Sequence, residues 1–199
     1  MRQISPHIWT WSEFNTDKGL DFNGWYIQYD GETALIDPPE PTENVIQFIK
    51  TRGAPDNIFL TNKHHARASG VFREIFDCPV WIHEHDESLI EMPVDRTIKD
   101  QDILSCGIKA IHICDGKTRG ETSFYFPHEK AAMIIGDAVI GKPKGSLSML
   151  ADEKFENPFK AKLALNRLLE FQFDLLLLGD GESLTENAYE TLKKFLTNA

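Results

Sequence analysis

Four consecutive leucines at 175–178, preceded by Phe173 and followed by Gly179-Asp180-Gly181, constrain this chain more than any other stretch. A strand with one solvated face alternates apolar and polar residues, so an unbroken apolar run reads as a strand buried on both faces. The rest of the sequence supplies the cover. Residues 23–29 and 33–37 read as strands around an Asp30-Gly31-Glu32 turn. Val45, Ile46 and Ile49 then fall at helical spacing, with a stop at Arg52-Gly53. A short buried strand at 58–61 follows, then a helix carrying Val71, Phe72, Ile75 and Phe76, then a strand at 79–83. The second half repeats the alternation, with strands at 108–113, 123–126 and 132–135. Asn157-Pro158 starts a helix with Leu163, Leu168 and Leu169 facing inward. After the leucine strand, Leu184, Ala188, Leu192 and Phe195 form the stripe of a closing helix. Pro38-Pro39-Glu40-Pro41 reads as a turn, and no repeat or low-complexity tract divides the chain, so one domain over 1–199 is expected. Strands first, then two halves of strand–helix alternation, predict an α/β (α+β) domain in which helices cover two packed sheets.

Charge narrows the function classes. Twenty-one Lys and Arg against 31 Asp and Glu leave a net charge of −10, and no basic run exceeds Lys193-Lys194. That balance argues against a nucleic-acid partner and against an anionic membrane surface. No apolar run approaches a membrane span, and Met1 to Gly19 shows no basic segment leading into an apolar stretch. Three cysteines, Cys78, Cys106 and Cys114, are odd in number and form no C-x-x-C pair, which predicts a reducing, cytoplasmic setting. Cys106 and Cys114 read as small buried hydrophobes.

Three polar loops follow core strands, where layered α/β folds place ligands. They are 60–70, with Thr61-Asn62-Lys63-His64-His65-Ala66-Arg67; 115–121, with Gly116-Lys117-Thr118-Arg119-Gly120; and 178–182, with Gly179-Asp180-Gly181. Leu35-Ile36-Asp37 and Gly136-Asp137 complete the set. In order and spacing these five landmarks resemble the metallo-β-lactamase-fold hydrolases. That family carries an early strand ending in Asp, a Thr-His-x-His-x-Asp-His-x-x-Gly loop, a Gly-His-Thr-x-Gly loop, a Gly-Asp and a late Gly-His-Gly. The resemblance spans nearly the whole chain and implies a four-layer αββα sandwich with its site at one rim.

The ligand positions depart from the family pattern. By resemblance, the two leading histidines fall on Asn62 and His64, the Asp-His pair on Ala66 and Arg67, the second-loop histidine on Lys117 and the last histidine on Asp180. The bridging aspartate is kept as Asp137. Lysine and arginine carry no lone pair while charged, and a catalytic zinc normally takes three protein donors. No dinuclear centre is therefore expected, and no cofactor. A single divalent ion, Zn or Mn, on His64, Asp137 and Asp180 remains open by donor count, against the opposition of two nearby cations.

The candidate site is thus His64, Lys117, Asp137 and Asp180, with Asn62 and Arg67. Arg67 and Lys117 should pair with the two carboxylates, with His64 hydrogen-bonded at the edge of the cluster. A site of that kind is either inert, the scaffold of a pseudoenzyme, or repurposed. A repurposed site would bind a small anionic ligand through Arg67, Lys117 and Asn62, or run metal-free chemistry on Lys117 with His64 as general acid or base. The alternative is a metal-dependent hydrolase of the ester, thioester or amide class with an unusual one-metal site. His83-x-His85 beside Asp86 is a two-ligand pattern without a third partner, and reads as a polar strand end. His112 and His128 read as isolated structural or surface residues. Glu121 and Glu182 are placed to pair with Arg119 or Lys117. His7, Trp9 and Trp11 mark an aromatic strand that packs or self-associates, which leaves a homo-oligomer open.

Overall fold

A computed structural model describes residues 1–197. Its first sheet has seven strands in sequence order: β1 (Arg2–Ser5), β2 (Ile8–Asn15), β3 (Leu20–Tyr29), β4 (Glu32–Ile36), β5 (Asn57–Phe59), β6 (Val80–His83) and β7 (Arg96–Ile98). Strands β1 to β4 are antiparallel and β4 to β7 parallel. The switch follows from the connections, since α1 (Glu43–Arg52) and α2 (Ser69–Phe76) are crossovers that a parallel pair requires. The second sheet, in the order β11-β10-β9-β8, contains β8 (Lys109–His112), β9 (Thr122–Phe126), β10 (Ala132–Ile135) and β11 (Leu175–Leu178). Between β10 and β11 runs α3 (Pro158–Ala164), started by the Asn157 side chain on the Lys160 N–H; α4 (Ala188–Thr197) follows β11.

The leucine run explains the layering. Leu175 and Leu177 enter the core between the sheets, with Trp25, Ile36, Phe59, Phe124 and Ile134. Leu176 and Leu178 enter the core under Leu165, Leu168 and Leu192. A third core packs Val45, Ile49 and Phe72 of the first two helices on the other face of the first sheet. Helix, sheet, sheet, helix is the four-layer αββα sandwich that the family resemblance implies.

Details differ. Leu163 is exposed, because α3 stops at Ala164 and tight turns over Leu165–Glu170 carry the inward Leu165 and Leu168. Leu184 precedes α4 and instead bonds across to Leu176 through both backbone groups. Val71 and Ile75 are exposed, leaving Phe72 as the anchor of α2. The aromatic strand is β2, and it packs internally: Trp9 meets Tyr26 and Phe48, and Trp11 meets Phe72. Strands β1 and β7, four and three residues long, are too short for an apolar alternation to show in the sequence. Among the described residues no helix is long and apolar enough to cross a membrane.

Both sheets end at one rim. The loops after β4, β5 and β6 meet those after β10 and β11 there, sewn by Asn23 N–H to Gly179 O and Thr122 N–H to Thr61 O, each 2.8 Å.

Candidate functional site

The rim is built from Asp37 outward. This residue directly follows β4 with a left-handed backbone (φ 46°) and is fully buried. Its carboxylate accepts the Thr61 N–H at 2.8 Å and the Thr61 hydroxyl at 2.6 Å, fixing the start of the loop after β5. Asn62 then accepts the His64 N–H on its side chain (2.8 Å) and the His65 N–H on its carbonyl (3.0 Å), opening a tight turn over Lys63–His65. Residues three apart share a face of such a turn. His65 therefore follows Asn62 inward, and His64 faces out.

That register corrects the expected role of His64. The ring that meets the aspartates belongs to His65, whose Nδ1 lies 2.7 Å from Asp37 Oδ2 and whose Nε2 lies 3.6 Å from Asp137 and 3.9 Å from Asp180. His64 stands at the mouth of the site instead. Asn62 is buried, with its amide on both Glu121 oxygens at 3.3 Å, so it is turned away from any ligand.

The expected ion pairs form. Lys117 Nζ lies 2.8 Å from Asp137, and Arg67 Nη2 lies 2.6 Å from Asp180. Arg67, itself left-handed at φ 41°, also donates to the carbonyls of Asn23 (2.9 Å), Gly179 (3.1 Å) and Asp37 (3.4 Å). Its guanidinium lies 4.6 Å from the centre of the Phe22 ring.

Electrostatics follow from this packing. Burial and the Arg67 charge oppose protonation of His65, but Asp37 and Asp137 outweigh them and hold its pKa near 9. Burial acts against the Asp137 carboxylate, yet His65 and Lys117 keep its pKa well below the usual range. Glu121 is the group that the sequence reading misplaced. It pairs with neither Arg119 nor Lys117, but accepts Asn62 and the Asp137 N–H (3.2 Å) in a buried pocket. Burial, then the Asp137 charge, push its pKa well above the ordinary carboxylate value. Glu182 pairs with Lys144 at 3.2 Å. Burial, then Lys117, lower the pKa of His64.

Over this cluster lies a cavity of about 290 Å³, walled by Asn15, Lys18 and Phe22 and floored by His65, Arg67, Lys117, Asp137 and Asp180. Lys18, Arg67, Lys117 and protonated His65 face Asp137 and Asp180, so cations prevail locally in a chain of net charge −10.

His65, Asp137 and Asp180 bring one donor atom each within 4.8 Å of one another, which is close enough to hold a metal ion. The chemistry of the set works against it. The carboxylates are already paired with an ammonium and a guanidinium, and an imidazole protonated on both nitrogens offers no lone pair. The residues at this rim do not fit a dinuclear centre.

A second group of possible ligands shares no residue with the first. The structure brings His112 of β8 to His83 and His85, supplying the third partner that the sequence reading lacked. His112 is therefore not isolated, and Cys114 is exposed rather than buried, with Sγ 3.8 Å from His112 Nδ1. The three imidazoles could hold a divalent ion. Asp86 is excluded from that set: its oxygens already accept the Thr118 hydroxyl (2.6 Å) and the N–H groups of Lys63 and Gly120, both at 3.0 Å. His128 behaves as expected, stacked on Tyr29 with ring centres 3.6 Å apart.

The comparisons agree with this architecture. A family model described as the metallo-beta-lactamase superfamily matches residues 1–198. The chain is 28% identical over 106 residues to a hydroxyacylglutathione hydrolase of Mesorhizobium japonicum, a match that covers 51% of this chain and 41% of that one. It is 30% identical over 120 residues to a protein of the same name from Brucella anthropi, covering 58% and 45%. It thus spans less than half the length of these curated relatives. Among solved structures, a metallo-beta-lactamase from Pontibacter korlensis superposes with a TM-score of 0.78 at 19% identity, covering 100% of this chain and 98% of that one.

Proposed function

The chain belongs to the metallo-beta-lactamase superfamily, and from that premise we propose that its rim site works without metal and binds a small anionic ligand. The observation that carries this reading is the pair of salt bridges Lys117–Asp137 and Arg67–Asp180, with protonated His65 between them. Side-chain cations stand where the family pattern has metal-binding histidines. With Lys18 they leave a surplus of positive charge facing a small cavity. Lys117 is the most accessible floor cation, and Arg67 is preorganised by its carbonyl contacts. A carboxylate or an inorganic oxyanion is the complementary ligand.

The test is a thermal-shift screen in chelator with phosphate, sulfate, and mono- and dicarboxylates. At least one anion should raise Tm in proportion to the logarithm of its concentration, and Lys117→Met should abolish the shift. Silence across the screen would overturn the reading, as would a shift that Lys117→Met leaves untouched.

The second reading is a hydrolase of the ester, thioester or amide class using one metal on His65, Asp137 and Asp180. The closeness of those three donors favours it, as does the name of the curated relatives. It requires the ion to displace both side-chain cations. Hydrolysis that depends on added Zn²⁺ or Mn²⁺ and is lost in Asp180→Asn would establish it in place of the first.

A further inference from the structure

We propose that His83, His85 and His112 form a site for one zinc-class divalent ion at the junction of the two sheets, with the Cys114 thiolate as the fourth ligand. The site is separate from the rim cavity and does not depend on the reading given above for that cavity.

Geometry is the first support. His83 ends β6 in the first sheet, His85 follows it by two residues, and His112 ends β8 in the second sheet. One nitrogen of each ring lies within 4.8 Å of the others, and the ring centres of His83 and His112 are 4.2 Å apart. Donors about a zinc ion at Zn–N near 2.0 Å and Zn–S near 2.3 Å sit closer than this, so the side chains must draw in on binding.

The tautomer of His112 is the second. Its Nε2 lies 2.9 Å from the Arg119 carbonyl, an acceptor only, so that nitrogen carries the proton and Nδ1 keeps the lone pair. A carbonyl behind a ligating imidazole is the usual outer support of a metal site. Cys114 Sγ lies 3.8 Å from that same Nδ1, outside the group that the three imidazoles form as they stand, so its side chain must turn toward the ion to become the fourth ligand. His83 is buried, 2% exposed, so its ring is held in place by the packing around it. The long contact from the His85 N–H to His83 Nδ1, 3.2 Å, is the bond with which an ion competes.

The surrounding frame is already fixed. Asp86 holds Thr118 and Gly120 through the bonds described above, which pins the turn that presents the Arg119 carbonyl. His85 and Cys114 are exposed, giving an ion its entry path. Three imidazoles and a thiolate suit zinc rather than the oxygen-preferring magnesium or calcium. Binding deprotonates the Cys114 thiol, so one proton is released per ion.

The experiment uses the chelator-stripped chain and Zn²⁺ alone, followed by competition against a chromophoric indicator. One equivalent should bind, and His85→Ala and His112→Ala should each weaken it at least about tenfold, whereas Asp180→Asn should leave it unchanged. His85→Ala is at the surface, so it tests the site even if the His83 or His112 variants fail to fold. Co²⁺ in place of Zn²⁺ should give tetrahedral visible bands and a thiolate charge-transfer band, and Cys114→Ser should remove the latter. Absence of a saturable site, indifference to His85→Ala, or loss in Asp180→Asn would overturn the proposal. A charge-transfer band missing from the unaltered chain would overturn the assignment of Cys114.

Discussion

His65 has Asp37 at 2.7 Å on one nitrogen, with Asp137 at 3.6 Å and Asp180 at 3.9 Å beside the other. Arg67 faces it from the same loop, and Lys117 approaches Asp137 from across the cavity. Its pKa of about 9 in the folded chain lies above the ordinary histidine value of 6.5. A group whose folded pKa is raised stabilises the fold in full below its unfolded pKa and loses that contribution as pH climbs through the folded one. The window is therefore pH 6.5 to 9. Asp137 has the opposite sign: its pKa is lowered, so its contribution is present above the ordinary carboxylate range and is lost only in strong acid. Denaturant stability of the unaltered chain should fall between pH 6.5 and 9, with His65 supplying a slope of up to about 1.4 kcal/mol per pH unit. In His65→Gln that portion of the slope should vanish, so the two curves converge as pH approaches 9. Parallel curves across the window would mean that His65 is neutral in the folded state.

The elements that deliver these side chains meet through residues with no side chain at all. Gly179 leaves β11 directly beside the His65 ring, and a Cβ there would lie 2.6 Å from Cε1 and 3.0 Å from Nδ1. Gly136, leaving β10, faces Thr61 in the same way. Neither glycine has a positive φ, so the need is for close approach and not for an unusual backbone. Gly179→Ala should push His65 off Asp37 and cost about 1–3 kcal/mol, the usual range for forcing atoms into a packed site. The check is urea unfolding beside the His65 ring signals by NMR, and a cost below about half a kcal/mol with unmoved signals would refute the contact. Much of this scale was legible in the sequence. The leucine run implied a strand covered on both faces, and the Gly-Asp landmarks placed the loops. What was not legible depends on register or on contact across the sheets. Two adjacent histidines, His64 and His65, differ only in which one a tight turn points inward, and the Asn62 carbonyl decides that. His112 belongs to a different sheet from His83 and His85, so no spacing in the sequence joins them. Glu121 looks like any loop carboxylate until the fold buries it beside Asp137, and both push its pKa up.

Across the whole molecule the two sheets must be held together at an open rim, where polar loops replace the apolar core. Arg67 does this. Its guanidinium reaches Asn23 O in β3 and Asp37 O after β4 in the first sheet, and Gly179 O and Asp180 after β11 in the second. The pair with Asp180 is nearly dry, with side chains 8% and 3% exposed. A buried charge left without its partner costs about 3–5 kcal/mol, far more than a surface pair contributes. Arg67→Ala should therefore lower global stability by about 2–4 kcal/mol, somewhat less than that limit because water can enter the cavity above Asp180. Arg67→Lys separates charge from geometry. A lysine keeps the charge opposite Asp180, but its single ammonium cannot serve carbonyls on both sheets as the planar guanidinium does. It should recover less than half of the loss. Denaturant midpoints for the three chains, with slopes checked for equality, decide the matter. If Arg67→Lys matches the unaltered chain, charge compensation alone holds the rim and the forked contacts between the sheets contribute nothing. If both variants are as stable as the unaltered chain, the apolar layers suffice and the rim contacts of Arg67 contribute nothing to holding the sheets together.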